Sequence, residues 1–148
     1  KIDTQTIDVN GIKIIPIEVM HHKMSVKAFR IGNFTYITDA NYISEEEKEK
    51  IKGSEVIVVN ALRRNHHISH FTFEEAIELM EELKPKHAYF THISHQLGSH
   101  EEVSLELPNF IQLAYDGLQI ELGQFYACAV GPPKFNGKAP ASKSFILP

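Results

Sequence analysis

Three short runs of this sequence end on residue types that bind metal or move protons. Thr91-His92-Ile93-Ser94-His95-Gln96 follows the apolar Ala88-Tyr89-Phe90, Ile37-Thr38-Asp39-Ala40 ends a second apolar run on a carboxylate, and Val19-Met20-His21-His22 ends a third on imidazole. Read as buried strands, these runs deliver His, Asp and His to the carboxyl edge of a sheet, where open α/β sheets place their sites. Two imidazoles and a carboxylate form a donor set suited to a divalent metal ion. Asp39 has no neighbouring Lys or Arg in sequence, and a metal ion compensates a desolvated carboxylate most strongly. Its competing role is to cap a loop or the helix after Ser44.

Six of the nine histidines fall within residues 66–70 and 92–100. His66, His67 and His70 sit on a loop between a strand and a helix, where site residues concentrate. The spacing His67-Ile68-Ser69-His70 lets two imidazoles converge on one ligand, either as a third metal donor or as a general acid that titrates near neutrality. The competing reading is that these are solvated loop residues. His92 and His95, with His100 close behind, suit a ligand and its supporting group. His21 and His22 are adjacent, so on a strand they point to opposite faces and only one enters a given site. Arg63-Arg64, next to the histidine cluster, either holds a phosphate oxygen bidentately or is simply exposed. Glu45-Glu46-Glu47 and Glu81-Glu82 read as solvated helix faces.

The elements that must position these groups are legible in outline. Residues 11–19 alternate as a strand, in which Pro16 argues for an edge or a bulge. Residues 26–31 and 34–37 flank Gly32-Asn33, a two-residue hairpin signal. Ser44 and Glu47 match a capping box that opens a helix to about Lys52, stopped by Gly53. Val56-Ile57-Val58-Val59, apolar on both faces, implies an interior strand. Thr72 and Glu75 open a second helix to Leu83, with Phe73, Ala76, Ile77, Met80 and Leu83 on one face and Pro85 after the end. Residues 87–91 form the next strand, and residues 111–122 read as a hairpin turning at Asp116-Gly117. After Gly123, residues 124–148 hold four of the seven prolines and no acidic residue, which reads as a loose tail or an arm on the surface. The order implies a mixed α/β fold: one domain over residues 1–123, followed by a Pro/Lys-rich tail over 124–148.

Bulk properties narrow the function. At 148 residues, 43% hydrophobic and 23% charged, the chain is ordinary for one soluble globular domain. A net charge of −4 disfavours nucleic acid as a partner, a local patch at Arg63-Arg64 aside. The single Cys128 excludes an intrachain disulfide and fits a reducing cytoplasm, the expected location. No apolar run approaches the roughly 20 residues of a membrane span, and the start lacks the apolar centre of a signal peptide.

With these residues in view, the chain resembles the metallo-β-lactamase-fold hydrolases. The likeness is to phosphodiesterase-like members related to phosphonate-pathway cyclic phosphodiesterases and tRNA 3′-processing nucleases. It rests on His21-His22-Lys23 through Ala28-Phe29-Arg30, Tyr36-Ile37-Thr38-Asp39, His67-Ile68-Ser69-His70-Phe71-Thr72 with Glu75-Ala76, and Thr91 through Gln96; Tyr115-Asp116-Gly117-Leu118 resembles the closing hairpin. The resemblance implies the second half of an αββα sandwich, a mixed sheet with flanking helices. It also implies two divalent ions, zinc or manganese, and a hydroxide they activate against a small-molecule phosphodiester. It puts His21 rather than His22, Asp39 and His92 at the metal. His67, with His70 as neighbour, falls where such enzymes keep a histidine for substrate phosphate or leaving group. His95 and Arg64 are the substrate-side candidates. The family's first motif, His-x-His-x-Asp-His, is absent from these 148 residues. The chain is therefore expected to pair with that missing half or to form a homo-oligomer, because apolar strands such as Val56–Val59 would otherwise be bare. An ester, lactone or thioester hydrolase is the alternative within the fold. A non-catalytic half-domain for binding or assembly is the alternative outside it.

Overall fold

The computed structural model describes residues 4–122 and the backbone of residues 143–146. Its elements are β1 (Ile7–Val9), β2 (Ile12–His21), β3 (Met24–Ile31), β4 (Phe34–Tyr36), α1 (Glu45–Ile51), β5 (Val56–Asn60), α2 (Phe73–Leu83), β6 (His87–Thr91), α3 (His100–Ser104), β7 (Ile111–Leu113), β8 (Gln119–Leu122) and β9 (Lys143–Ile146). The first seven strands form one sheet in sequence order. From β1 to β4 the pairs are antiparallel, and from β4 to β7 they are parallel. A helix lies in each parallel connection, as a parallel crossover requires.

The antiparallel half is built by local turns. His22-Lys23 joins β2 to β3, and Gly32-Asn33 joins β3 to β4 with Gly32 at φ 58°, a conformation that costs glycine nothing. Pro16 lies inside β2, which is the second strand rather than the edge. The amides of Glu18 and Met20 point away from β3, toward Glu47 and Tyr42, and Pro16 shares their direction by the two-residue period. Beyond Ile14, β1 has ended, so the missing N–H costs no ladder bond.

The two faces of the sheet bury different residues. Ile57, Val59, Ala88 and Phe90 join Ile17, Val19 and Ala28 in one cluster with Ile51 of α1, Val103 of α3 and Phe73, Ala76, Leu79, Met80 and Leu83 of α2. All three helices thus cover one face. On the opposite face Val56, Val58 and Phe34 pack with Leu118 and Ile120. The face expected to be bare at Val56–Val59 is therefore covered, with Val56 at 7% and Val58 at 0% exposure.

Local capping signals hold with one change. Ser44 accepts the Glu47 amide, but the Glu47 carboxylate does not return to it. It accepts instead from the Glu18 amide (2.8 Å) and Lys50 Nζ (2.6 Å), tying α1 to β2. At Thr72 the reciprocal box is complete, so Thr72→Ala is expected to lower stability by about 1 kcal/mol, read as a shift in denaturant midpoint at constant slope. The Phe73 and Phe90 rings meet edge to face at 6.0 Å, locking α2 onto β6.

One expectation is corrected. Residues 111–122 do turn at Asp116-Gly117, with Gly117 at φ 86°, but they are not a hairpin. β7 pairs with β6 in the main sheet, whereas β8 pairs with β9. The parallel edge of β6 takes β7, and β8 crosses to cover Val56 and Val58. Around His100 the chain forms α3, a helix outside the expected elements, which Ser99 caps by accepting the Glu102 amide. Of residues 124–148, β9 is an arm returning to β8; the rest lies outside the described residues.

Candidate metal centre

The carboxyl ends of β2, β4, β5 and β6 meet at one place. Asp39 follows β4 at φ 52° and His92 follows β6 at φ 57°, both in the left-handed region that Asp and His tolerate better than most residues. His21 closes β2, and His70 stands on the loop from β5 to α2. Donor atoms of His21, Asp39 and His70 all lie within 4.8 Å of one another. His70 Nε2 is 3.1 Å from Asp39 Oδ1, and His92 Nε2 is 3.7 Å from the same oxygen. The His70 ring is the hub: it lies edge-on to His21 at 4.9 Å, stacks on His92 at 4.7 Å, and is tilted 5.0 Å from His67.

Burial grades the cluster. The His70 side chain is only 10% exposed, while those of Asp39 and His92 are 44% and 43% exposed, so the hub is enclosed and its partners face solvent. Behind the hub, His70 Nδ1 meets His67 Nδ1 at 3.1 Å and Ser69 Oγ at 3.0 Å, and His67 Nδ1 also accepts from the Ser69 amide. His70 is thus held at both ring nitrogens, by Asp39 at Nε2 and by His67 and Ser69 at Nδ1. Desolvation holds His67 below the ordinary imidazole range, helped by the charges of His70, Arg63, His21 and His66. His67 therefore backs His70 and does not itself reach Asp39.

The remaining candidates lie elsewhere. His22 is exposed in the β2–β3 turn, where its amide donates to Asn41 Oδ1. His95 is exposed, and among the described residues no hydrogen bond or ring contact ties it to the cluster. Arg64 is engaged by Glu106 (2.7 Å) and Glu74 (3.4 Å) over the Phe73 ring (4.8 Å), an arrangement that pins the end of its loop rather than offering a free fork to phosphate. Arg64→Ala is thus expected to leave metal affinity unchanged within twofold and to cost about 1 kcal/mol or less in stability, which titration calorimetry and denaturation check. Arg63, the other half of the Arg63-Arg64 pair, donates to Gln96 Oε1 and to the carbonyls of Asn65 and His66, linking the two histidine loops. Asn60, which the sequence marks only as a strand end, bonds both the N–H and C=O of Ala40 at 2.9 Å.

Two imidazoles and a carboxylate at this separation, with a third imidazole facing the same oxygen, fit one divalent ion and leave coordination positions open. The family profile described as "Beta-lactamase superfamily domain" matches residues 2–93. The chain belongs to that superfamily. A crystal structure of a diphosphatase from the PhnP family superposes with a TM-score of 0.80 and 38% identity, covering 82% of this chain and 48% of that one. Zinc-bound PqqB from Methylobacterium extorquens superposes at 0.60 with 17% identity, covering 80% of this chain and 54% of that one, and shows the shared fold. In sequence, an octanoyltransferase of Porphyromonas gingivalis is 32% identical over 112 residues, which are 75% of this chain and 23% of that protein. This superfamily member thus has the metallo-β-lactamase fold and spans about half of the diphosphatase chain. No helix among its described residues is long and apolar enough to cross a membrane.

Proposed function

We propose that this chain supplies one side of a metal-dependent hydrolase centre acting on small phosphodiesters. The carrying observation is the convergence of His21, His70 and His92 on Asp39, in a chain 38% identical to a PhnP-family diphosphatase over 82% of its length. His21, Asp39 and His92 would hold a divalent ion, zinc or manganese. When bound, such an ion lowers the pKa of water and offsets charge on phosphoryl oxygens. Donors for a second ion are proposed to come from polypeptide beyond these 148 residues.

The residues of this chain would divide the remaining tasks. His70 presents Nε2 into the cluster while Nδ1 is wired to His67 and Ser69, so it suits proton donation to a leaving oxygen. We place that role on His70 in preference to His67, which lies behind the hub and whose proton affinity desolvation lowers. Asp39 orients both Nε2 atoms, and enclosure of His70 limits competing water.

One observation favours a second reading, acyl ester or thioester hydrolysis: the octanoyltransferase relative. Its aligned segment is under a quarter of that protein, so the phosphodiester reading is preferred. The deciding experiment assays the full-length protein, loaded with Zn²⁺ or Mn²⁺, on phosphodiesters and acyl thioesters side by side. Metal-dependent turnover of the phosphodiester is expected, and turnover confined to the thioester would reverse the choice.

A further inference from the structure

We infer that Asn60 is a positioning residue: its amide grips the Ala40 peptide and so sets Asp39 and His70 at one separation. Asn60 ends β5 fully buried, among apolar neighbours on an interior strand. Its Oδ1 accepts from the Ala40 N–H at 2.9 Å and its Nδ2 donates to the Ala40 C=O at 2.9 Å. The side chain thus imitates a strand partner for a peptide that has already left β4.

Ala40 is a node because Asp39, His70 and His21 each have a chain neighbour in the segment 40–42 or bonded to it. Ala40 directly follows Asp39, and its carbonyl also accepts the amide of Phe71, the residue after His70, at 2.8 Å. Met20 and His22, on either side of His21, are bonded to the same segment: Asn41 N–H donates to Met20 C=O, Met20 N–H to Tyr42 C=O, and His22 N–H to Asn41 Oδ1. Two of these links run between backbone groups of β2 and the segment and one uses Asn41. Among the described residues, Asn60 is the side chain whose hydrogen bonds tie the segment to β5. Asp39 holds φ 52°, a conformation that persists only where surrounding bonds over-determine it. Asn60 supplies two such bonds one residue away. The inference rests on the reading that this cluster binds metal.

The test compares Asn60→Ala with Ser54→Ala in the full chain. Ser54 is a buried hydroxyl bonded to Thr35 and Ile51 near the start of β5, at the other end of the strand from Asn60, and it controls for general destabilisation. Two readouts are taken: Zn²⁺ or Mn²⁺ affinity by calorimetry, and hydrogen exchange of the Asn41 and Phe71 amides without metal. Asn60→Ala is expected to weaken metal binding about 10–100-fold, as loss of a supporting partner does, and to speed both exchanges. Ser54→Ala is expected to keep wild-type affinity. Wild-type affinity in Asn60→Ala, or an equal loss in Ser54→Ala, overturns the inference. If the unaltered chain binds neither ion, the metal reading fails separately, and exchange decides alone: faster in Asn60→Ala supports positioning, unchanged refutes it. Should Asn60→Ala not fold, Asn60→Ser, which retains a hydroxyl for the Ala40 amide, is read by the same criteria.

Discussion

Asp39→Ala is expected to leave a chain that no longer takes up Zn²⁺ or Mn²⁺ at micromolar concentration. Asp39 is the only carboxylate in the donor group, and the Nε2 atoms of His70 and His92 both face its Oδ1. Without it, imidazoles remain with no anion to offset the charge of a dehydrated ion. The affinity is expected to fall at least about 100-fold, because a ligand matters more than the supporting groups whose loss costs about 10–100-fold. Asp39→Asn separates charge from shape, since asparagine also accepts the left-handed backbone. It should lose affinity almost as fully while keeping the wild-type circular dichroism. The unaltered chain should hold one ion and not two, because these donors cannot enclose a pair. Dialysis followed by elemental analysis settles both points. An Asp39→Ala chain with wild-type metal content would remove the proposed centre, and two tightly held equivalents in the unaltered chain would mean that further residues complete it.

The second large effect separates two stacked rings. In the full-length protein, His92→Ala should lose metal and activity together, because an open ligand position rarely keeps its ion. His70→Ala should keep its metal and lose about 10²–10⁴-fold in kcat on alkyl phosphodiesters, the usual worth of a general acid. The loss should shrink on nitrophenyl phosphodiesters, whose leaving groups need little protonation. His67→Ala should cost less than His70→Ala, since His67 backs the hub without touching Asp39. If His70→Ala strips the metal instead, His70 is a ligand, as its 3.1 Å approach to Asp39 also permits, and proton donation belongs to another group.

Short-range signals carried most of the fold. Gly32-Asn33 and the Thr72–Glu75 box act within a few residues, so their meaning survives without the rest of the molecule. Ser99-His100-Glu101-Glu102 carried the same capping signal for α3 and was overshadowed by its histidine. Asp116-Gly117 told where the chain turns, but not that Leu113 would pair with Phe90 and Leu118 would leave for the other face. Pairing partners are chosen by distant strands, and a turn dipeptide holds no record of them. In the site, strand-end placement brought His21, Asp39 and His92 into view, whereas the ranking of His70 over His67 depends on ring positions that spacing does not encode. Asn60 was invisible for a related reason. A side chain bonding a backbone twenty residues away leaves no periodicity, and an asparagine after four apolar residues reads simply as the end of a strand.

The left-handed backbone at positions 39 and 92 bears on redesign. Anyone wanting this centre to prefer a softer ion would reach for cysteine, exchanging a hard oxygen or an imidazole for thiolate. At φ 52° and 57° the main chain resists first. Cysteine lacks the local tolerance of Asp, Asn and His for that region, so the exchange carries a conformational penalty of roughly 1 kcal/mol or more before any coordination bond forms. Position 21, the remaining proposed ligand, has no such constraint. A thiolate library aimed at altered metal preference should begin there and leave 39 and 92 for last.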